Sequence, residues 1–414
     1  MSAIEEEHVP QSSIPEDLQQ RYSNWKKNTR LLYDYLNTNS KKWPSLTCQF
    51  FHDLDTTSDT HRILLSAFTS SQLPEDEAIY IAKLSTLKHL EWASINNFDM
   101  DEMEFKPENN IKLPSKNLTN DISIRFPDGD CNIARYLPQN PDVIAGASSH
   151  GSIYIFDRTK HGSLRMRQSK NLKPYEAALY CPPKGIENVE NTNEATSISW
   201  NLQREGLLAS CYSSGQIQLW DLKKYSNSKL EMDTPLLNVD FDALGVNDVN
   251  WHPSHDSILA ASGESNIIGL FDNRLGTEIL RSNEKMHNGG INSCKFNSHC
   301  DSLLISGDSE GRINLWDLRK LDGEPIKTLH HGSSISTLEW NPNLETIVAS
   351  AGQDDGLVKL WDVSTDELVF THGGHMLGVN DISWNLHDTW LMCSVSNDNS
   401  VQVWKPAHNL VEQV

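Results

Sequence analysis

Short stretches in which apolar and polar side chains alternate run through most of the chain, the period of two that a half-buried strand requires. One set ends in an aromatic residue followed by Asp: IYIFD at Asp157, IQLWD at Asp221, IGLFD at Asp272, INLWD at Asp317 and VKLWD at Asp362. VQVWK, ending at Lys405, and a degenerate IYIAK, ending at Lys83, extend this set. A second set sits between them: CNIARYLP from Cys131, ATSISWNL from Ala195, VNDVNWHP from Val246, INSCKFN from Ile291, ISTLEWNP from Ile335 and VNDISWNL from Val379. LTCQFF, from Leu46, opens an earlier copy. Turns rich in Gly, Asp, Asn and Ser follow, as at Ser309-Glu310-Gly311 and Asp354-Asp355-Gly356. Ahead of these strands the period changes. Leu18, Tyr22, Trp25, Thr29, Leu32 and Leu36 recur every three or four residues along one helical stripe, and Ser13-Ile14-Pro15-Glu16 reads as a capping box with an early proline.

The last four strand ends are 51, 45, 45 and 43 residues apart. A period of about 40–45 residues with Trp-Asp at a strand end is the WD-repeat signature, four strands per propeller blade. Seven copies predict an all-β fold, a seven-bladed WD40 β-propeller with an N-terminal α-helix packed on its flank. One blade cannot cover its own two faces, so blades pack radially and the ring closes to hide its edges. The expected organisation is a disordered tail over 1–14, a helix over 15–40, the propeller over 41–406 and a tail over 407–414. Residues around Trp43 to Leu46 are expected to complete the final blade. Two longer intervals, of 74 and 64 residues, carry insertions. The first holds an acidic, apolar stretch, Asp99 to Phe105, which reads either as a site for a basic partner or as a solvated loop. The second holds Arg158, Lys160, Arg165, Arg167, Lys170 and Lys173, which read either as a contact for nucleic acid or an acidic partner or, better because no aromatic residues interleave with them, as a solvated loop.

Charge narrows the function. The 414 residues include 35 Lys and Arg against 56 Asp and Glu, a net charge of −21. Affinity for DNA comes from clustered cations that release counterions, so this balance argues against direct nucleic-acid binding and for basic partners. No apolar run approaches the roughly 18 residues of a membrane span, and Met1 to Glu7 lack the features of a secretory signal, which predicts an intracellular protein without a membrane partner. The seven cysteines, at 48, 131, 181, 211, 294, 300 and 393, form no C-x-x-C pair and read as reduced thiols. His375, Ser394 and Asp398 have the residue types of a hydrolase triad. With Trp404, however, they fit a structural hydrogen-bond tetrad, repeated at His331, Ser350, Asp355 and Trp361, and an active site needs no second copy. His372 and His375 lack a third metal ligand at a recognised spacing, and no phosphate loop or dinucleotide fingerprint is present. No catalytic residue, metal or cofactor is expected. Leu31, Asp34 and Tyr35 lie beside the buried helical stripe and read either as a site for a partner helix or as packing against a loop.

WKKNTRLLYDYL (from Trp25), WPSLTCQF (from Trp43), ARYLPQNPDVIA (from Ala134), FDRTKH (from Phe156) and FTHGGHMLGVNDISWN (from Phe370) together resemble the histone-binding WD-repeat family related to the retinoblastoma-associated proteins. The terminal motifs are most similar to the fungal small subunits of chromatin assembly factor 1. The resemblance implies a nuclear histone chaperone subunit, with a cytoplasmic pool, that holds histones H4 and H3 for replication-coupled nucleosome assembly beside larger subunits. It also implies a groove for the first helix of histone H4, at Leu31, Leu32, Asp34 and Tyr35 and at Asp366, Glu367 and Phe370. Only Val363-Ser364-Thr365 separate Asp362 from the latter segment, where animal relatives carry a longer acidic loop, which predicts a shallower groove. A second implied site, for a basic peptide such as the histone H3 tail, lies at the channel end around Asp130, Asn132, Glu194, Asn247, Asp248 and Asn397. Amides or hydroxyls at Asn247, Ser334 and Asn397 predict weaker binding there. The alternatives are the accessory subunit of a type B histone acetyltransferase and, from Trp316-Asp317-Leu318-Arg319, a substrate receptor for a cullin ubiquitin ligase.

Overall fold

A computed structural model describes residues 15–55, 59–86, 98–99, 104–105, 118–161, 173–181, 193–224 and 231–411. The repeats fold into seven sheets, six of four strands and one of five, which are the predicted blades. The inner strands are Cys48–Asp55, Cys131–Leu137, Ala195–Trp200, Val246–Trp251, Ile291–Phe296, Ile335–Trp340 and Val379–Trp384, numbered here as blades 1 to 7. Alternation decides how they pack. In Val246–Trp251, Val246, Val249 and Trp251 are buried against a neighbouring blade, while Asn247 and Asn250 are only half-buried. Asp248 is drawn inward by ion pairing. Blade 2 has a fifth strand because Glu231–Met232, from the insertion that follows blade 3's third strand, pairs in parallel with Ala177–Leu179.

Blade 7 differs from the others. Its fourth strand is β1 (Tyr33–Ser40), from near the start of the chain, paired antiparallel with Ser400–Pro406. The helix α1 (Glu16–Leu32) therefore stops eight residues short of the expected Ser40, and the segment that completes the last blade is 33–40 rather than Trp43 to Leu46. The cause is tertiary. Strand Ser400–Pro406 would otherwise be a long unpaired edge, and pairing with it outweighs the local helical stripe of the Leu32–Leu36 stretch. The chain after Pro406 is also more ordered than a tail, since His408–Val411 form a short helix, α2. At the start of α1 the N-cap is Pro15, with no side-chain cap, and Ser13 of the proposed capping box lies outside the described residues. The stripe itself is present: Thr29 is buried, and Leu18, Tyr22, Trp25 and Leu32 are half-buried.

Two insertions are described only in part. In the acidic stretch, Phe98–Asp99 pairs antiparallel with Glu104–Phe105, and residues 100–103 lie outside the described residues. In the basic run, Arg158 pairs with Asp142, Lys160 with Asp157 and Lys173 with Glu231, so these three cations are already compensated. Arg165, Arg167 and Lys170 lie outside the described residues, as does the tail over 1–14. All seven cysteines are free thiols, and burial pushes the Cys211 thiol up to about 12. Among the described residues no helix is long and apolar enough to cross a membrane.

Candidate functional site

The side of the ring where blades 6 and 7 meet α1 is built around an aromatic cluster. Tyr33 is fully enclosed; its hydroxyl accepts from Trp25 Nε1 at 2.8 Å and meets His372 Nδ1 at 2.8 Å. His372 stacks on Trp404 with ring centroids 4.3 Å apart, and Phe370 meets Tyr33 edge-on at 5.4 Å. Burial, then the neighbouring His375, holds the His372 imidazole well below its ordinary value, so it is neutral and can accept the Tyr33 proton. Arg21 fastens the other end of α1, donating to the backbone carbonyls of Asp355 and of His375, the latter at 2.7 Å. The helix is thus fixed on the ring by hydrogen bonds from side chains on its inward face.

A β-bulge at the start of β1 sets what faces outward. Pairing with Ser400–Pro406 slips between Tyr33 and Tyr35, and such a bulge re-aims the side chains on either side of it. Tyr33 and Leu36 pack on the blade 6 side, while Tyr35 packs towards blade 1 with Cys48, Phe50 and Leu391. Asp34, at the bulge, accepts from the backbone N–H of His408 at 3.0 Å, and the N–H of Ala407 donates to Leu32 at 2.8 Å. These bonds bring the end of α1, the bulge and α2 together, and α2 in turn packs on blade 6's outer strand, Glu367–His372.

Exposed leucines rise from all three segments: Leu31 at 60%, Leu368 at 46% and Leu410 at 40% exposure. Around them stand Asp34, Asp366 and Glu367. Asp366 is held at a positive φ of 64° and pairs with Lys327 Nζ at 2.8 Å; Glu367 is exposed. Of the expected groove residues, Leu31, Asp34, Asp366 and Glu367 are therefore on or near one surface. Leu32 is half-buried, and Phe370 and Tyr35 are core residues, Tyr35 on the far side of β1. Leu368 and Leu410 are the additions. Nothing in the sequence pattern marks either: alternation alone turns Leu368 inward with Phe370 two residues on, and only the slip in pairing between Leu360 and Trp361 turns it outward.

The channel has a different character. At the end where the inner strands begin, side-chain amides bridge several of the blades to the next. Asn132 donates to the carbonyl of Ala195 at 3.0 Å, Asn247 to that of Ile291 at 3.2 Å, and Asn380 to that of Ser45 at 3.0 Å. The same amides hold the groups at the rim: Asn132 holds Glu194 at 2.8 Å, Asn247 holds Glu264 at 3.0 Å, and Asn380 holds Asn397 at 2.9 Å. Glu264 is a rim acid that sequence reasoning missed. It was legible, because its backbone N–H bonds to Gly245 as that of Asn397 bonds to Gly378, one repeat position in two blades. Asp130 does not join the rim; it is buried and takes the N–H and hydroxyl of Ser71 at 2.9 and 3.2 Å. Asp248 lies deeper, where Lys295 Nζ reaches it at 2.6 Å, and a second pair joins Arg135 to Asp381 at 3.0 Å.

The triad-like residues form a structural network. His375 Nε2 meets Ser394 Oγ at 2.7 Å, and Trp404 Nε1 donates to the same oxygen at 3.1 Å. Asp398 takes the backbone N–H groups of Met376 and Ser400; burial alone would raise its carboxyl, but its bonds to His375 and Ser400 hold it well below the usual range. His331, Ser350 and Trp361 repeat the arrangement in blade 6, with Asp355 3.5 Å from His331, and His287, Ser306, Asp308 and Trp316 repeat it again in blade 5. Among the described residues no cluster of His, Cys, Asp and Glu could hold a metal. Arg319 grips Asp317 through Nε and Nη2 at 2.8 and 2.7 Å, holding that carboxyl down to about 2, and Arg274 grips Asp272 the same way. This guanidinium is a repeat-end clamp.

Comparison with known proteins agrees with this geometry. Residues 20–88, which contain most of α1 and all of β1, match a family model for the histone-binding protein RBBP4 and its counterpart in the CAF1 complex, a model that describes a histone H4-binding region. Residues 233–405 match a propeller model described as the N-terminal domain of nucleolar protein 10-like proteins. The chain is 64% identical over 407 residues to "Histone-binding protein MSI1" of Saccharomyces cerevisiae, covering 97% of this chain and 96% of that protein. With a seven-bladed ring, a flanking helix and this likeness along nearly its whole length, the chain belongs to the RBBP4/CAF1C family of histone-binding WD-repeat proteins.

Proposed function

We propose that the chain is a non-catalytic subunit that holds histone H4, together with H3, for nucleosome assembly in the nucleus, and that the surface at Leu31, Leu368 and Leu410 receives the first helix of H4. The observation that carries this reading is the set of exposed leucines, on segments far apart in sequence, bordered by Asp34, Asp366 and Glu367. An amphipathic helix laid on it buries its apolar face on the leucines and points its Arg and Lys residues at the carboxylates. The name of the yeast relative and the description of the family model over 20–88 support histones as the ligand. Lys327 already occupies Asp366, so an incoming cation shares that carboxylate, and Asp34 and Glu367 carry more of the contact.

A synthetic peptide of the first H4 helix is expected to bind the full chain. Leu31→Asp with Leu368→Asp, or Asp34→Lys with Glu367→Lys, should weaken it by about tenfold or more; the leucine pair should leave the melting temperature unchanged, and the acid pair should lower it slightly through the lost Asp34–His408 bond. A peptide that does not bind, or one indifferent to both pairs, sinks the proposal. Co-purification separates larger subunits of chromatin assembly factor 1 from a type B acetyltransferase as companions, since both would use the same groove. Binding of a histone H3 tail at the channel rim is a second reading. It is favoured by Glu194 and Glu264, held at the rim by Asn132 and Asn247.

A further inference from the structure

The opposite end of the channel is a site of another kind. Five of the seven inner strands finish in an aromatic residue, Phe50 and Tyr136 take the corresponding place within the other two, and Trp200, Trp251, Trp340 and Trp384 help enclose a cavity of about 340 Å³ there, within the size range of small-molecule sites. Three of the indoles are locked by their N–H groups: Trp200 to the carbonyl of Arg135 at 3.0 Å, Trp340 to that of Lys295 at 3.1 Å, and Trp384 to that of Glu339 at 3.3 Å. The walls are therefore preorganised. The residue before each aromatic forms the floor, and of these seven only Arg135, Lys295 and Glu339 are ionisable.

The arrangement of charge is lopsided. Asp248 and Asp381, the carboxylates that pair with Lys295 and Arg135, line the smaller cavity of about 130 Å³ at the rim side and do not line this one. The wide mouth thus meets two cations whose anions stand behind them. Lys295 Nζ has Asp248 as its hydrogen-bond acceptor among the described residues, which leaves N–H groups of the ammonium to offer.

We propose that the wide mouth of the channel binds a carboxylate carrying an apolar, aromatic-sized body, the body between the tryptophans and the carboxylate on Lys295 and Arg135. Glu339 makes the binding pH-dependent. Burial, then Asp381, pushes its carboxyl up to about 7 against the pull of Arg135 and Lys295. The other inner-strand groups facing it are Asp248 and the uncharged Gln49, Ser199, Asn250 and Ser383. An arriving carboxylate repels ionised Glu339, so Glu339 takes a proton from water as the ligand seats, and binding weakens as pH rises through its titration. Free organic acids and acidic or C-terminal peptide residues share this chemistry.

Calorimetry on the full chain tests it with 2-naphthoate at about pH 6 and about pH 8, in buffers of different ionisation heat. Naphthoate is expected to bind with net proton uptake, about tenfold more weakly at the higher pH, and 2-naphthylmethylammonium is expected not to bind. Glu339→Gln should bind equally at both pH values. Lys295→Gln should bind about tenfold more weakly than the parent, and Ser298→Glu, a substitution at an exposed position of the wide mouth that leaves the floor untouched, should also weaken binding. Equal binding of the ammonium, absence of saturable heat from naphthoate, or a Ser298→Glu chain that binds like the parent overturns the proposal. Competition by acetyl-Leu-Phe assigns the site to chain termini, competition by acetyl-Phe-Glu-Leu-amide to acidic side chains, and failure of both to free organic acids.

Discussion

Blades 5 and 7 carry the same internal hydrogen bonds and are assembled in opposite ways. In blade 5, His287 meets Ser306 and Trp316 on strands that follow it directly in the chain, from Ile291 to His330. In blade 7 the matching His375, Ser394 and Trp404 are covered by a strand from the far end of the chain. The imported strand brings Tyr33 and α1 with it, and Trp404 then supports His372 on its face. The place that His372 takes ahead of blade 7 is taken ahead of blade 5 by Ser282, whose hydroxyl accepts from Ile268. A repeat that is only structural in one blade thus becomes, in the other, the floor beneath an exposed surface that can meet a partner.

The most severe way to break this comparison is to remove β1. Deleting residues 1–40 takes away Tyr33, Tyr35 and Leu36, whose burial contributes roughly 5–9 kcal/mol, as much as the net stability of many domains. The expected result is loss of a cooperative melt by circular dichroism; a deletion ending at Leu32 should still melt cooperatively. Next come Trp316→Ala and Trp404→Ala, each costing about 3–5 kcal/mol in urea unfolding. Only Trp404→Ala should also weaken the H4-helix peptide, and equal loss of binding in both would show that the two blades do not differ in this way.

Tyr33→Phe is a smaller cut. It leaves the Trp25 N–H and His372 Nδ1 without their shared partner, and the expected loss is about 1–3 kcal/mol, with faster hydrogen exchange in α1 than elsewhere. The smallest effect is one of pH. Because His372 is held neutral in the fold, the unfolded chain binds more protons below about pH 6.5, so stability falls as pH drops through that value, by up to about 1.4 kcal/mol per unit. Urea melts of His372→Gln at about pH 7.5 and about pH 5.5 should show a shallower loss than the parent. An identical slope would remove His372 from the account.

The ring was legible because each blade repeats the same solution to the same packing problem, and Trp-Asp strand ends recur at nearly constant spacing. The seam was not. Tyr33 to Ser40 continue the stripe of α1, and only the vacant edge of Ser400–Pro406 makes them a strand. The error at the seam spread to the site: on a helix Tyr35 falls beside Leu31, but on a bulged strand it turns into the core. Asp130 misled for a related reason, since it occupies the same repeat position as Glu194 but finds Ser71 nearby. Leu368 and Leu410 escaped because a lone exposed leucine is ordinary on any surface, and only their convergence gives them meaning.

The bond between Tyr33 and His372 joins residues 339 positions apart. During synthesis on a ribosome, the helix and its strand emerge ahead of the blades and then wait, without a partner, until the last blade follows. The leucine surface comes into being only when the ring shuts, so if it receives a histone, as we propose, a nascent or truncated chain would not present it. Completion of the polypeptide would then set when that site can bind.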